Sequence, residues 1–177
     1  MTGLRLSVVG AVKIGYSTAM IRTGIGYDSH RLVEGRRLVL GGVCIPHERG
    51  LFGHSDADVL THAICDALLG AVADGDIGQH FPDNDPEWRN ADSTLLLGRV
   101  AERLERTGWR ILNTDATVIT EAPKLAPYIL QMRNRLADVM DVDVSCVSVK
   151  AKTNEGLDAV GRREGISAMA VATVSRI

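Results

Sequence analysis

Two short segments of the sequence carry side chains that could bind a metal ion. Asp28 and His30 are separated by one residue after an apolar segment, and His62 lies further along the chain. Side chains two residues apart in an extended chain point to the same side, so Asp28 and His30 can act together. Two imidazoles and a carboxylate suit zinc better than magnesium, and three protein ligands leave one position open for chemistry. We therefore predict a catalytic zinc site formed by Asp28, His30 and His62, with ordinary structural histidines as the alternative.

Two further regions could act on an anionic substrate. His54 stands directly before a predicted helix, where free N–H groups and the helix dipole favour anions, although an ordinary loop histidine would fit as well. A polar loop nearer the C-terminus contains Thr153, Glu155 and Arg162. Their hydroxyl, carboxylate and guanidinium could hold a metal-bound diphosphate, although a plain hairpin connection is the alternative. The residues alone thus predict a zinc enzyme that acts on a phosphate.

A helix must position His62. Ser55 and Asp58 form a capping-box pattern, which predicts a helix that opens with Ser55 as its N-cap and runs to about Val72. Asp58, His62 and Asp66 recur every four residues and therefore share one face of that helix.

A strand at 22–27 is expected to end just before Asp28 and His30. The other elements follow from alternation, helical spacing, caps and turn residues. They are a hairpin (37–40 and 43–45), a long loop (74–86), a helix (92–108), a strand (109–120), a helix (128–140), a strand (144–150), a polar loop (151–163) and an alanine-rich strand (166–174). This order predicts an α+β protein, an α/β sandwich whose mixed β-sheet has helices packed on one face.

Length and composition restrict the class of protein. The 177 residues fit a single domain, predicted at 21–177, and residues 1–20 are interpreted as an N-terminal extension that is disordered or an over-called start. A net charge of -2 and 4% aromatic residues argue against a nucleic-acid partner. No apolar run reaches membrane-spanning length. Three cysteines without a Cys-x-x-Cys pair indicate reduced thiols in a cytoplasmic protein.

Six motifs in one collinear order resemble a known family. They are Gly26-Tyr27-Asp28-Ser29-His30, Gly41-Gly42-Val43-Cys44-Ile45-Pro46, His54-Ser55-Asp56-Ala57-Asp58, Gly75-Asp76-Ile77-Gly78, Phe81-Pro82-Asp83 and Lys152-Thr153-Asn154-Glu155-Gly156-Leu157. Over residues 21–177 the chain resembles the 2-C-methyl-D-erythritol 2,4-cyclodiphosphate synthase family. The resemblance implies a trimer-forming fold similar to the Bacillus chorismate mutase-like fold.

The resemblance also implies a reaction. A phosphorus–oxygen lyase of this family converts 4-diphosphocytidyl-2-C-methyl-D-erythritol 2-phosphate to 2-C-methyl-D-erythritol 2,4-cyclodiphosphate plus CMP in the non-mevalonate isoprenoid (terpenoid) pathway. The reaction is a metal-assisted intramolecular phosphoryl transfer, and the enzyme is a homotrimer with active sites between subunits. The alternative is a zinc-dependent phosphohydrolase on a nucleotide diphosphate ester, which would release a linear product.

Site residues follow from the resemblance position by position. Asp28, His30 and His62 match zinc ligands, Glu155 matches a ligand of a second divalent ion (magnesium or manganese), and His54 and Thr153 match the catalytic residues that stabilise the transition state. The implied substrate-binding residues are Asp28, His30, His54, Ser55, Asp76, Ile77, Gly78, Phe81, Pro82, Asp83, Asn84, Asp85, Thr120, Glu121, Ala122, Pro123, Lys124, Leu125, Ala126, Lys152, Thr153, Asn154, Glu155 and Arg162.

One segment departs from the family pattern. Ala159 stands where many members have a phenylalanine near the trimer axis, where an isoprenoid diphosphate can sit. The departure puts such binding in doubt, although Arg162 is retained and could still bind an anion.

Overall fold

A five-stranded mixed sheet forms the scaffold of the protein. The structure is a computed structural model and describes residues 20–177. In chain order the elements are β1 (Ile21–Glu34), β2 (Leu38–Leu40), β3 (Val43–Ile45), β4 (Arg49–Leu51), α1 (Val59–Ala71), α2 (Ile77–His80), α3 (Ser93–Arg106), β5 (Trp109–Ile119), α4 (Ile129–Met140), β6 (Val147–Lys152), α5 (Asp158–Gly161) and β7 (Gly165–Arg176). The strand order is β4-β1-β7-β5-β6, and within residues 20–177 only β5 and β6 pair in parallel. The predicted α+β class is therefore confirmed.

One face of the sheet carries the three long helices of the described residues. Helix α1 packs on β1, β7 and β5, while α3 and α4 cover β5 and β6 and contact each other. The opposite face carries exposed apolar side chains, among them Ile25, Tyr27, Met169 and Val171. The prediction that helices pack on one face is confirmed.

Glycine in β1 lets α1 approach the sheet closely. A Cβ atom on Gly24 would lie 2.1 Å from the carbonyl oxygen of Ala67, and one on Gly26 would lie 2.0 Å from that of Ala63. Both contacts are with the helix backbone, which cannot move away as a flexible side chain could. The close approach brings the residues that follow Gly26 in β1 next to His62 of α1.

The N-cap of α1 is Asp58, not Ser55 as predicted. The Asp58 carboxylate accepts hydrogen bonds from the N–H groups of Leu60 and Thr61, and also from the Thr61 hydroxyl. The hydroxyl of Ser55 accepts a hydrogen bond from a backbone N–H two residues on. The capping-box interpretation was wrong because Asp58 alone reaches both of the unpaired N–H groups at the helix start.

Strand β1 is much longer than predicted. Asp28 and His30 lie inside it, because β1 pairs with β7 from Ile21 to Arg31 and then with β4. The sequence analysis missed β4, which has only three residues and contains Gly50. The hairpin of β2 and β3 around Gly41-Gly42 is confirmed, with both glycines at positive φ as such a turn requires.

Several other predicted element boundaries differ from those in the structure. The loop at 74–86 contains α2, and the loop at 151–163 contains α5. Strand β6 begins at Val147 instead of residue 144, because Asp143 caps a single 3-10 turn at Val144–Cys146. Such one-turn elements are too short to give a periodic pattern in the sequence.

The alanines of β7 face α1. Ala168, Ala170 and Ala172 are buried within the chain, whereas Met169 and Val171 between them are exposed. The small side chains thus allow close packing of the helix on the strand.

Our predictions for residues 1–19 lie outside the described residues. Among residues 20–177, no helix combines the length and the apolar character needed to cross a membrane.

Candidate metal centre and surrounding cavity

Asp28, His30 and His62 converge on one point between β1 and α1. Oδ2 of Asp28 lies 2.9 Å from Nδ1 of His62 and 3.1 Å from Nε2 of His30. The three candidate ligand atoms all lie within 4.8 Å of one another. Register explains the arrangement, since residues 28 and 30 of a strand share a face and α1 covers that face. The structure therefore brings together the three residues predicted as a metal site.

The electrostatics of this trio favour a charged aspartate. Although burial favours the neutral acid, the adjacent imidazoles of His30 and His62 hold the pKa of Asp28 well below its usual range. Burial disfavours the imidazolium of His62, but its hydrogen bond to Asp28 and the nearby carboxylates raise the pKa of His62. A cation thus suits the position between these side chains.

One ring nitrogen supports this conclusion independently. Nε2 of His30 is buried, and among the described residues it has no partner in hydrogen-bonding geometry. An unpaired buried polar atom is costly unless a ligand completes it. One carboxylate and two imidazoles form a donor set that fits a divalent metal ion.

His62 is fixed from its other side by buried polar groups. Nε2 of His62 lies 2.8 Å from Oγ of Ser93 and 3.2 Å from Oγ of Ser55. The Ser93 hydroxyl donates a hydrogen bond to the Asp56 carboxylate, which also accepts one from the Ser93 backbone N–H. Ser93 is the first residue of α3, so this contact ties α3 to the chain that leads into α1. The sequence analysis identified Ser93 only as part of a helix start.

An open cavity of about 1200 Å³ lies in front of the trio. Many of the predicted site residues line it, namely Asp28, His30, His54, Ser55, His62, Ile77, Gly78, Phe81, Pro82, Asp83 and Asn84. Asp76 is next to the cavity as the N-cap of α2, where its carboxylate accepts a hydrogen bond from the Gln79 N–H. The predicted segments 54–55 and 76–85 therefore belong to the same region as the metal trio.

His54 is attached to the loop that follows α2. Its Nε2 donates a hydrogen bond to the carbonyl oxygen of Asp85 at 3.3 Å, and its own carbonyl accepts one from the Asn90 N–H. In this loop Phe81 packs edge-on against Trp88, with ring centroids 5.1 Å apart. These contacts make an ordered wall from a segment whose sequence predicts only a long loop.

The sequence analysis missed several residues of the cavity wall as site residues, among them Arg36, Asp66 and Trp88. Arg36 donates hydrogen bonds to the carbonyl oxygens of Gly53 and Ser55, at 3.3 and 2.6 Å, and thus holds the backbone on both sides of His54. The Asp66 carboxylate accepts a hydrogen bond from the Ile77 N–H at 2.8 Å. Trp88 forms part of the wall as well. Only Asp66 had a signal in the sequence, because it shares a helix face with His62.

The remaining predicted residues form a second cluster. The ends of β5 and β6 lie side by side, since these strands are parallel and Ile119 is paired with Lys152. Oε1 of Glu121 accepts hydrogen bonds from the N–H groups of Asn154 and Gly156, at 2.8 and 3.2 Å. The loop 120–126 is thereby bound to the turn at 153–156. Among the described residues, the walls of the metal-side cavity include neither segment.

Several side chains of this second cluster are open to solvent. Thr153 and Glu155 are exposed, and the Thr153 hydroxyl donates a hydrogen bond to the Glu155 carboxylate at 2.7 Å. Lys124 is exposed as well. Arg162 forms an exposed ion pair with Glu164. The structure of one chain thus divides the predicted site into two parts, one at β1 and α1 and one at the ends of β5 and β6.

Comparison with known proteins agrees with this architecture. Residues 21–175 match the YgbB family. The chain is 60% identical over 156 residues to the 2-C-methyl-D-erythritol 2,4-cyclodiphosphate synthase of Syntrophomonas wolfei subsp. wolfei, a match that covers 88% of this chain and 99% of that protein.

Solved structures show the same fold. The bifunctional IspDF from Campylobacter jejuni superposes with a TM-score of 0.87 at 38% identity, over 90% of this chain and 43% of that one, so the chain spans less than half of that protein. The CDP complex of IspF from Plasmodium falciparum gives a TM-score of 0.78 at 32% identity, over 90% of this chain and 99% of that one. The family match extends over almost all of the described residues, and the relatives of the chain are named 2-C-methyl-D-erythritol 2,4-cyclodiphosphate synthases. The chain therefore belongs to the YgbB family.

Proposed function

We propose that the chain is a 2-C-methyl-D-erythritol 2,4-cyclodiphosphate synthase of the non-mevalonate isoprenoid pathway. In 4-diphosphocytidyl-2-C-methyl-D-erythritol 2-phosphate, an oxygen of the 2-phosphate forms a bond to the β-phosphorus. The bond from this phosphorus to the bridging oxygen breaks, and CMP leaves with that oxygen. The observation that carries the proposal is the convergence of Asp28, His30 and His62 on one cavity in a chain of this family.

Zinc is the ion that we infer for the trio. The two imidazoles and one carboxylate suit zinc, and the buried Nε2 of His30 needs a partner. When bound, zinc supplies Lewis-acid stabilisation of phosphate charge. The ionised Asp28 contacts both histidines and keeps their ligand atoms directed at one point.

The protein's own contribution is mainly the shape in which it holds the substrate. Phosphoryl transfer depends on positioning and charge neutralisation, and an intramolecular transfer needs the two ends of the substrate held close together. His54, Ser55 and residues of the segment 77–84 line the cavity. The rings of Phe81 and Trp88, which pack edge-on, limit access of water, whose attack on the diphosphate is the competing reaction.

The second cluster is proposed to bind the cytidine diphosphate part of the substrate. Glu121 holds the 153–156 turn against the loop 120–126, which leaves Thr153 and Glu155 directed outwards. We infer that the Thr153 hydroxyl, which donates to Glu155 in the single chain, donates to a phosphate oxygen when the substrate is bound. Glu155 offers a single carboxylate, which suits a magnesium or manganese ion whose other ligands are substrate phosphates and water.

A homotrimer would unite the two parts of the site. The two parts of the site lie at the same end of the sheet's strands, because one row of paired residues crosses the sheet there: Ser29, Ser167, Ile119 and Lys152. Three strand spacings, or about 14 Å, separate the two parts. We infer that His54 of one subunit faces Thr153 of the next. The uncovered sheet face, with its exposed apolar side chains, is the surface that such an assembly would bury.

A reducing compartment fits the cysteines. Cys44, Cys65 and Cys146 are free thiols, as is usual for proteins of the cytoplasm. We therefore infer that the enzyme is cytoplasmic.

Product analysis tests the proposed function. The protein is incubated with the cytidylyl substrate, zinc and magnesium, and the products are followed by phosphorus NMR and by release of CMP. We expect CMP and a cyclic diphosphate in equal amounts. Inorganic phosphate or a linear diphosphate in place of the ring would support the phosphohydrolase alternative, and an unchanged substrate would contradict both functions.

A further inference from the structure

The surroundings of the Ser93 hydroxyl determine to which neighbour it donates a hydrogen bond and from which it accepts one. Ser93 is fully buried, and its Oγ contacts both the Asp56 carboxylate and Nε2 of His62. A hydroxyl has one proton to donate, and an ionised carboxylate can only accept. The proton of Ser93 is therefore directed to Asp56, and the Ser93 oxygen is left as an acceptor.

This direction determines which nitrogen of His62 carries the proton. Because the Ser93 oxygen accepts, Nε2 of His62 must donate, at 2.8 Å. The Ser55 hydroxyl oxygen, at 3.2 Å from the same nitrogen, already accepts the Ala57 N–H and forms a weaker second partner. In the metal-free chain Nδ1 of His62 donates a hydrogen bond to Asp28. When a metal ion takes the place of that proton, the neutral ring keeps its proton on Nε2 and has its lone pair on Nδ1.

We propose that Ser93 and Asp56 are positioning residues that hold His62 as the Nε2–H tautomer and direct its Nδ1 lone pair at the metal position shared with Asp28 and His30. The proposal rests on the proposed function, in which this trio binds zinc. Metal-bound histidines are commonly oriented by a carboxylate or carbonyl partner on the other ring nitrogen. Here the carboxylate acts through a serine hydroxyl, which links the start of α3 to the metal centre in α1.

Zinc affinity is the first test. We expect Ser93→Ala to weaken zinc binding about 10- to 100-fold, as loss of an outer-shell partner does, measured by competition with a chelator. The matched control is Ser175→Ala, which removes the hydroxyl of another buried serine at the far end of β7. The control should bind zinc as the wild type does, and both variants should have similar melting temperatures without metal.

The tautomer is the second test and needs no substitution. The protein is labelled with 15N-histidine, and two-bond proton–nitrogen correlations are recorded with zinc bound. We expect His62 to carry its proton on Nε2. A proton on Nδ1, or wild-type zinc affinity in Ser93→Ala, would overturn the inference and leave the proposed function intact. A wild-type protein without zinc affinity would overturn the proposed metal role and this inference together.

Discussion

Asp28 is the side chain on which the metal trio depends, because its single carboxylate contacts both histidines. Asp66 lies one helical turn beyond His62 in the same cavity wall, and its pKa is shifted in the opposite direction to that of Asp28. Burial, together with repulsion from Asp76 and Asp28, raises the pKa of Asp66, although a hydrogen bond from the Ile77 N–H partly offsets the shift. The cavity thus contains one carboxylate that is stabilised in its charged form and one that is not.

Asp66→Asn tests this difference. A folded-state pKa above the unfolded value means that Asp66 stabilises the fold only while protonated, and this contribution is lost as the pH rises through the folded-state pKa. Asparagine retains an oxygen for the Ile77 N–H and removes the charge. We expect the metal-free variant to melt a few degrees higher than the wild type at pH 7, with the difference vanishing below about pH 4. A lower melting temperature at pH 7 would show that the charged form is favourable.

The contact between β1 and α1 is the element-scale feature that creates the metal centre. Gly26→Ala places a methyl group 2.0 Å from the carbonyl oxygen of Ala63, so the helix must move away from the strand. We expect a loss of about 1–3 kcal/mol in the free energy of unfolding, together with weaker zinc binding, because His62 moves with the helix. Chemical denaturation and zinc titration measure the two effects.

The control for this substitution is a glycine of α1. A Cβ on Gly70 would be 3.8 Å from its nearest neighbour outside its own helix, the carbonyl oxygen of Ile25, which is an ordinary contact. Gly70→Ala should therefore raise stability by about 0.5–1 kcal/mol through helix propensity. If Gly26→Ala behaved like Gly70→Ala, the close approach of α1 would not be needed for the metal centre.

Spacing along the chain predicts contacts within an element better than contacts between elements. Asp28 and His30 share a face of any extended strand, so their pairing could be predicted from the sequence. The partner of His62 on its other side, Ser93, could not, because it comes from α3 through a packing contact 31 residues away in sequence. Arg36 was missed for the same reason, since its two acceptors are backbone carbonyls, which every residue has.

At the scale of the whole molecule, the structure of a single chain does not explain why the uncovered face of the sheet carries exposed apolar side chains. Ile25 is paired with Val171, and Tyr27 with Met169, so these four side chains form a continuous exposed apolar patch. The alanines of β7 alternate with these side chains and pack under α1. The larger side chains that alternate with them remain available for another subunit.

Val171→Asp tests whether this patch holds a trimer together. Val171 is 41% exposed in the single chain, and a carboxylate there would have to be buried on assembly at a cost of several kcal/mol per subunit. We expect light scattering to show a trimer for the wild type and a monomer for the variant. The variant should still bind zinc, since the trio lies on the helix side, but should lose CMP release because Thr153 no longer meets its neighbour's His54. Leu130→Asp, on the exposed side of α4, is the control and should stay trimeric. A trimeric, active Val171→Asp variant would place the interface elsewhere.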